Sequence, residues 1–169
     1  MKSTSVDSNW KNYIINGDFK DGLDSWIINS SAVELSTIDN REAACVTRSG
    51  GVGGKSPLRQ TVELGYNIHA ADSVLHLVVQ RVDLAVEIQP VVVQAVLTNF
   101  DDKVIEEHSF YIEVTSSAQV KEEQFRFVVE SLEKLKLTVQ IFAGEGGVLG
   151  AGFKVTDIQY LNNWLHPLP

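Results

Sequence analysis

The side chains here with the most reactive chemistry are four histidines (His69, His76, His108, His166), the single cysteine Cys45, and a Gly54-Lys55-Ser56 tripeptide. The tripeptide has the form of a phosphate-binding loop's end, and Gly50-Gly51-Val52-Gly53 before it would supply the backbone freedom. The leading glycine of such a loop would fall at position 49, which is Ser49. Pro57 and an alternating segment follow where a helix should begin, so no helix N-terminus is there to hold phosphate. No His-x-His or His-Glu-x-x-His spacing brings two histidines onto one metal. No Gly-x-Ser-x-Gly elbow marks a nucleophilic serine. Cys45 sits in Ala43-Ala44-Cys45-Val46 without a nearby base to make it a thiolate, and is expected to be a small buried residue. His76 is expected as a structural mid-strand histidine, and His69 and His108 as solvated residues near turns. With no acid/base pair at a recognisable spacing, catalysis is not expected.

The composition is that of an ordinary globular domain. The 169 residues are 44% hydrophobic and 21% charged, enough to bury a core in one domain without metal or disulfide. A formal net charge of −8 disfavours nucleic acid and anionic membrane as partners. One cysteine allows no intramolecular disulfide, which fits a reducing compartment and also disulfide-free secreted β domains. Residues 1–9 contain no apolar core of a signal peptide, and no apolar run approaches the roughly 18 residues of a membrane helix. Asn29-Ser30-Ser31 is a formal glycosylation sequon.

These residues must be positioned by strands. Short apolar stretches separated by turn signals run through the chain: Tyr13 to Ile15, Trp26 to Ile28, Ala32 to Leu35, and Ala43 to Thr47. Leu58 to Leu64 alternates, with Leu58, Gln60, Val62 and Leu64 on one side and Arg59, Thr61 and Glu63 on the other. Ser73 to Val82 and Ala85 to Leu97 are long β-branched runs, the second with Pro90 implying a bulge or an edge. Asn99 to Asp102 turns the chain. Ile105 to Val114, Glu123 to Val129, Leu135 to Ala143 and Gly152 to Tyr160 complete the series. Val128 to Lys136 is also compatible with a helical turn, yet Leu135, Leu137, Val139 and Ile141 alternate as the inward side of a strand. The expected organisation is a 1–12 tail, a 13–161 antiparallel β-sandwich and a 162–169 tail.

Ile14-Ile15-Asn16-Gly17-Asp18-Phe19, then Gly22-Leu23-Asp24-Ser25-Trp26, resembles the opening of carbohydrate-binding modules of the galactose-binding-like jelly-roll class, the type appended to bacterial xylanases and glucanases. Leu58 to Leu64, with its central Gln60, resembles the family's next signature strand, and Phe153 to Gln159 its closing one. The resemblance runs from Tyr13 to Tyr160. It implies an all-β jelly roll with the first and last strands side by side. It also implies a non-catalytic carbohydrate-binding role and an extracellular or cell-surface location. Such modules often hold a structural calcium between the chain's ends. Asp157 matches the closing ligand, whereas Lys20 replaces the opening acid and leaves Asp18 or Asp21 as substitutes.

Sugar binding in this class implies one outward sheet face, with an aromatic ring stacking on a pyranose and amides bonding its hydroxyls. Opposite the inward Leu135, Leu137, Val139 and Ile141 lie Lys136, Thr138, Gln140 and Phe142. Arg126 alternates with Phe125 and Phe127, Gln94 lies between Val93 and Ala95, and His76 and Gln80 share a side. The expected groove is Phe142, Gln140, Arg126, Gln94, Gln80 and His76, with Tyr111 as a second aromatic. The alternative is a structural or interaction protein of the same fold, a surface or coat component. It would form a homo-oligomer through a sheet face such as the apolar Val86 to Leu97 run.

Overall fold

A computed structural model describes residues 10–28, 33–46, 58–65, 71–82, 90–128, 133–143 and 152–162. Those residues form eleven strands and no helix. The strands are β1 (Lys11–Asn12), β2 (Ile27–Ile28), β3 (Val33–Ile38), β4 (Arg41–Val46), β5 (Leu58–Gly65), β6 (Ala71–Arg81), β7 (Val91–Asn99), β8 (Val104–Ile112), β9 (Gln119–Phe127), β10 (Leu135–Ala143) and β11 (Phe153–Asn162). All pairings are antiparallel. One sheet runs β3-β4-β11-β6-β9 with β1 beside β11, and the other runs β2-β5-β10-β7-β8. They are called here the β11 sheet and the β10 sheet. No described helix is long and apolar enough to cross a membrane. The glycine-rich loop with Lys55 and Ser56, the sequon, His69, His166 and residues 129–132 lie outside the described residues.

Alternation produces the core. Leu135, Leu137, Val139 and Ile141 of β10 are fully buried and face Leu75, Leu77 and Val79 of β6 and Phe153, Val155, Ile158 and Tyr160 of β11. Each fully buried large apolar side chain contributes about 1.5–3 kcal/mol relative to exposure. The inward set on β11 changes from odd to even residues partway along. A register shift between Thr156 and Gln159, with Asp157 at φ 53°, absorbs the change. Such a bulge re-aims the strand so that both halves face the core.

The chain's two ends meet as expected, with a different local form. Tyr13 to Ile15 is not a strand. Pairing starts at β1, where Lys11 opposes Asn162 and Asn12 opposes Leu161, so the sheet reaches residues assigned from sequence to both tails. The Asn12 Oδ1 accepts from the backbone N–H groups of Ile14 and Tyr160, and Tyr13 N–H donates to Tyr160 O. Ile158 N–H donates to Gly17 O, seating the Asn16-Gly17 turn on the bulge. Phe19 stacks on Trp26 beneath this turn, with ring centroids 5.7 Å apart.

Pro90 marks neither a bulge nor an edge. It immediately precedes β7, which lies between β10 and β8, so its missing N–H removes no ladder bond. Val91 to Val93 and Ala95 to Leu97 are buried on both faces of that strand. His108 is only partly solvated, its side chain 28% exposed. It lies against Phe125 and Phe127, with ring centroids 4.9 and 5.2 Å away, where the edge strands β8 and β9 of the two sheets meet. Glu106 joins those edges, its Oε2 2.7 Å from His108 Nε2 and its Oε1 accepting from Val128 N–H.

Candidate functional site

The outward face of the β10 sheet is read row by row from its register. One row crosses three strands as Phe142 (β10), Val92 (β7) and Tyr111 (β8). The adjacent row runs Arg59 (β5), Gln140, Gln94 and Ser109. The next runs Thr61, Thr138, Val96 and Glu107. Neighbouring strands are about 4.8 Å apart, so Phe142 and Tyr111 flank Val92 at a backbone separation of about 10 Å. Tyr111 is 70% exposed, Phe142 half-buried and Val92 buried.

The amide row is hydrogen-bonded laterally. Gln140 Nε2 donates to Gln94 Oε1 at 3.1 Å, and Gln94 Nε2 donates to Ser109 Oγ at 3.2 Å. Thr61 and Thr138 share a hydroxyl–hydroxyl bond of 2.7 Å in the next row. These cross-strand bonds constrain the side chains' rotamers. Each Gln amide carries two N–H donors and two acceptor lone pairs, so Gln94's bonds to Gln140 and Ser109 use only part of its capacity. The face therefore sets aromatic surface beside oriented neutral amides.

Only four of the seven expected sugar-contacting residues share this face: Phe142, Gln140, Gln94 and Tyr111. His76, Gln80 and Arg126 stand on the outward face of the β11 sheet, on the other side of the sandwich, and each has structural partners there. His76 Nδ1 lies 3.1 Å from Glu122 Oε1 and its Nε2 3.3 Å from Asp157 Oδ2. Gln80 Nε2 donates to Ser116 O at 2.7 Å, tying the β8–β9 connection across that face. Arg126 Nε donates to Asp72 Oδ1 at 2.9 Å. The sequence reading missed Ser109 and Arg59 as members of the amide row. Register across strands would have found them, and one sequence does not contain it.

Asp18 and Asp157 do line one cavity, of about 550 Å³, at the junction of the chain's ends, together with Lys20, Asn40, Arg41, Glu42 and Thr156. Its chemistry does not suit calcium. Asp18 Oδ1 accepts from Lys20 N–H, and its Oδ2 lies 3.6 Å from the Lys20 ammonium. Asp157 is directed at His76 and at Gln159 Nε2. Among the described residues no three His, Cys, Asp or Glu groups converge as a metal would need. Two cations, Lys20 and Arg41, share the cavity, where calcium requires six to eight oxygens. Cys45 is buried and in no disulfide; burial, then the Glu34 charge, pushes its thiol up against the lesser pull of Lys154, away from the thiolate form.

No protein-family model matches this chain. No curated protein matches it by sequence. Solved structures match its fold. A carbohydrate-binding module in complex with β-1,4-galactotriose aligns at 15% identity over 89% of this chain and 97% of its own, with TM-score 0.55. A xylan-binding domain from Paenibacillus barcinonensis aligns at 9% identity over 84% of this chain and 88% of its own, with TM-score 0.54. A Stig cyclase from Fischerella sp. TAU aligns at 12% identity over 93% of this chain and all of its own, with TM-score 0.64. The fold is thus the all-β jelly-roll sandwich of carbohydrate-binding modules, and a cyclase shares it.

Proposed function

We propose that this chain is a non-catalytic carbohydrate-binding module that holds a poly- or oligosaccharide on the outward face of its β10 sheet. The observation that carries this reading is the pair of adjacent rows, Phe142–Val92–Tyr111 beside Gln140–Gln94–Ser109. An aromatic face stacks on the apolar side of a pyranose, and the amides one row away meet its equatorial hydroxyls. The fold shared with modules that bind β-1,4-galactotriose and xylan supports the same reading.

Fold alone does not separate binding from catalysis, since function belongs to sites. The row beside the aromatics carries neutral amides, a hydroxyl and the Arg59 guanidinium, and no carboxylate. The outward carboxylates Glu63 and Glu107 lie on β5 and β8, separated by two strands. Their backbones are therefore at least about 14 Å apart, and neither stands in the Phe142–Val92–Tyr111 row or in the amide row beside it. The assembly alternative drew on the apolar Val86 to Leu97 run, whose described part is buried on both faces.

Calorimetry against plant, fungal and bacterial polysaccharides tests the proposal. A ligand is expected, and Phe142→Ala should weaken it at least roughly tenfold, or 1.4 kcal/mol. A folded protein with no glycan response across the panel would refute it.

A further inference from the structure

We infer that the glycan held on this face carries one carboxylate among neutral sugars, a single hexuronate per binding register. This rests on reading the β10 sheet's outward face as the saccharide site. Arg59 of β5 is the cross-strand partner of Gln140 and begins the amide row. It alternates with the buried Leu58 and Gln60, so its side chain stands exposed on the outward face. Among the described residues Arg59 forms no ion pair. Among the described residues the other cation on these strands' outward side is already matched: Lys136 Nζ lies 2.6 Å from Asp102 Oδ1 and 5.4 Å from the Phe100 ring centroid. Among the described strand residues the outward carboxylates are distant, Glu63 four residues along β5 at about 13 Å and Glu107 three strands away.

Phe142 lies diagonally from Arg59, about 7–8 Å away along the backbone. A sugar ring resting on Phe142 thus places an exocyclic carboxylate at the guanidinium while its hydroxyls meet Gln140 and Gln94. A guanidinium matches a carboxylate through two parallel N–H···O bonds, about twice as strong as neutral ones. The chain's net charge of −8 acts the other way on dense polyanions, whose many charges sum the repulsion. In an acidic protein, a cation with no ion pair among the described residues selects sparse uronate over neutral glycan, and neutral glycan over polyuronate or sulfated polymer.

The test is binding to glucuronoxylan, acidic arabinogalactan and xanthan, each paired with its carboxyl-reduced counterpart, with polygalacturonate as the dense polyanion. The expected result is roughly tenfold tighter binding to at least one uronate-bearing polymer than to its reduced form. Arg59→Gln should abolish that difference, and Arg59→Lys should only partly restore it. Equal binding within every pair, a preference unchanged in Arg59→Gln, or tightest binding to polygalacturonate overturns the inference while leaving saccharide binding intact. No binding to any polymer, or binding unaffected by Phe142→Ala, overturns the saccharide site itself and this inference with it.

Discussion

The side-chain amide of Gln60 pairs with both backbone polar groups of Ile15. Its Oε1 accepts from the Ile15 N–H at 2.8 Å, and its Nε2 donates to the Ile15 carbonyl at 2.9 Å. Gln60 is 4% exposed and belongs to the β10 sheet, while the segment it holds is bonded on either side to β11, through Tyr13–Tyr160 and Gly17–Ile158. The amide acts as one residue of a strand, so the opening segment closes the sandwich by bonding to both sheets. The buried polar residue amid apolar neighbours is explained by this role.

Gln60→Leu removes both bonds and leaves two half-buried backbone groups unpaired. At about 0.5–1.5 kcal/mol per bond, a loss of roughly 1–3 kcal/mol is expected in urea denaturation. Unchanged stability would show that the amide bracket contributes nothing.

Gly17 allows the turn to lie against the bulge. A Cβ there would overlap the Ile158 carbonyl oxygen, an atom fixed in backbone. Gly17→Ala is therefore expected to cost about 3 kcal/mol or more, since the main chain itself must shift. A midpoint within error of wild type would contradict the close approach.

Tyr160 sets an alkaline limit. Its hydroxyl is buried with Ser73 Oγ at 2.8 Å and the Asn162 amide nitrogen, which donates to it at 2.6 Å. Burial raises its ionisation well above the ordinary 10.0, and the bonds from Ser73 and Asn162 only partly offset this. Below pH 10 the phenol is protonated in both folded and unfolded chains, so stability is fully present. Above pH 10 the unfolded chain ionises first, and stability falls by up to about 1.4 kcal/mol per pH unit. Denaturation between pH 8 and 11.5 should show this slope, reduced in Tyr160→Phe. An identical alkaline slope in that variant would place the loss elsewhere.

In the junction cavity Asp18 is met by Lys20, and Asp157 by His76 and Gln159. Thermal unfolding in excess calcium and in EDTA should give the same midpoint within about 1 °C. A calcium-dependent rise of several degrees would contradict that assignment.

Much of the fold was legible because burial alternates. Leu135 to Ile141 and Leu58 to Leu64 show their inward sides in sequence, and Asn16-Gly17 with Asp157 marks where the ends join. The patch was only half legible. Alternation tells which side of its own strand a residue occupies, not which sheet that strand joins, and outward residues of both sheets read alike. Hence His76, Gln80 and Arg126 were grouped with Gln94 and Phe142 although the sandwich separates them. The bulge at Asp157 was hidden for a related reason: Phe153 to Tyr160 buries two sets of opposite parity, which no single period describes.

The most direct measurement is a backbone amide chemical-shift titration with the glycan that binds best. Shifts are expected to concentrate at residues 92–94, 109–111 and 140–142, with His76, Gln80 and Arg126 unmoved. Shifts centred on His76, Gln80 and Arg126, with Phe142 and Tyr111 unmoved, would contradict the assignment of the site to the β10 sheet.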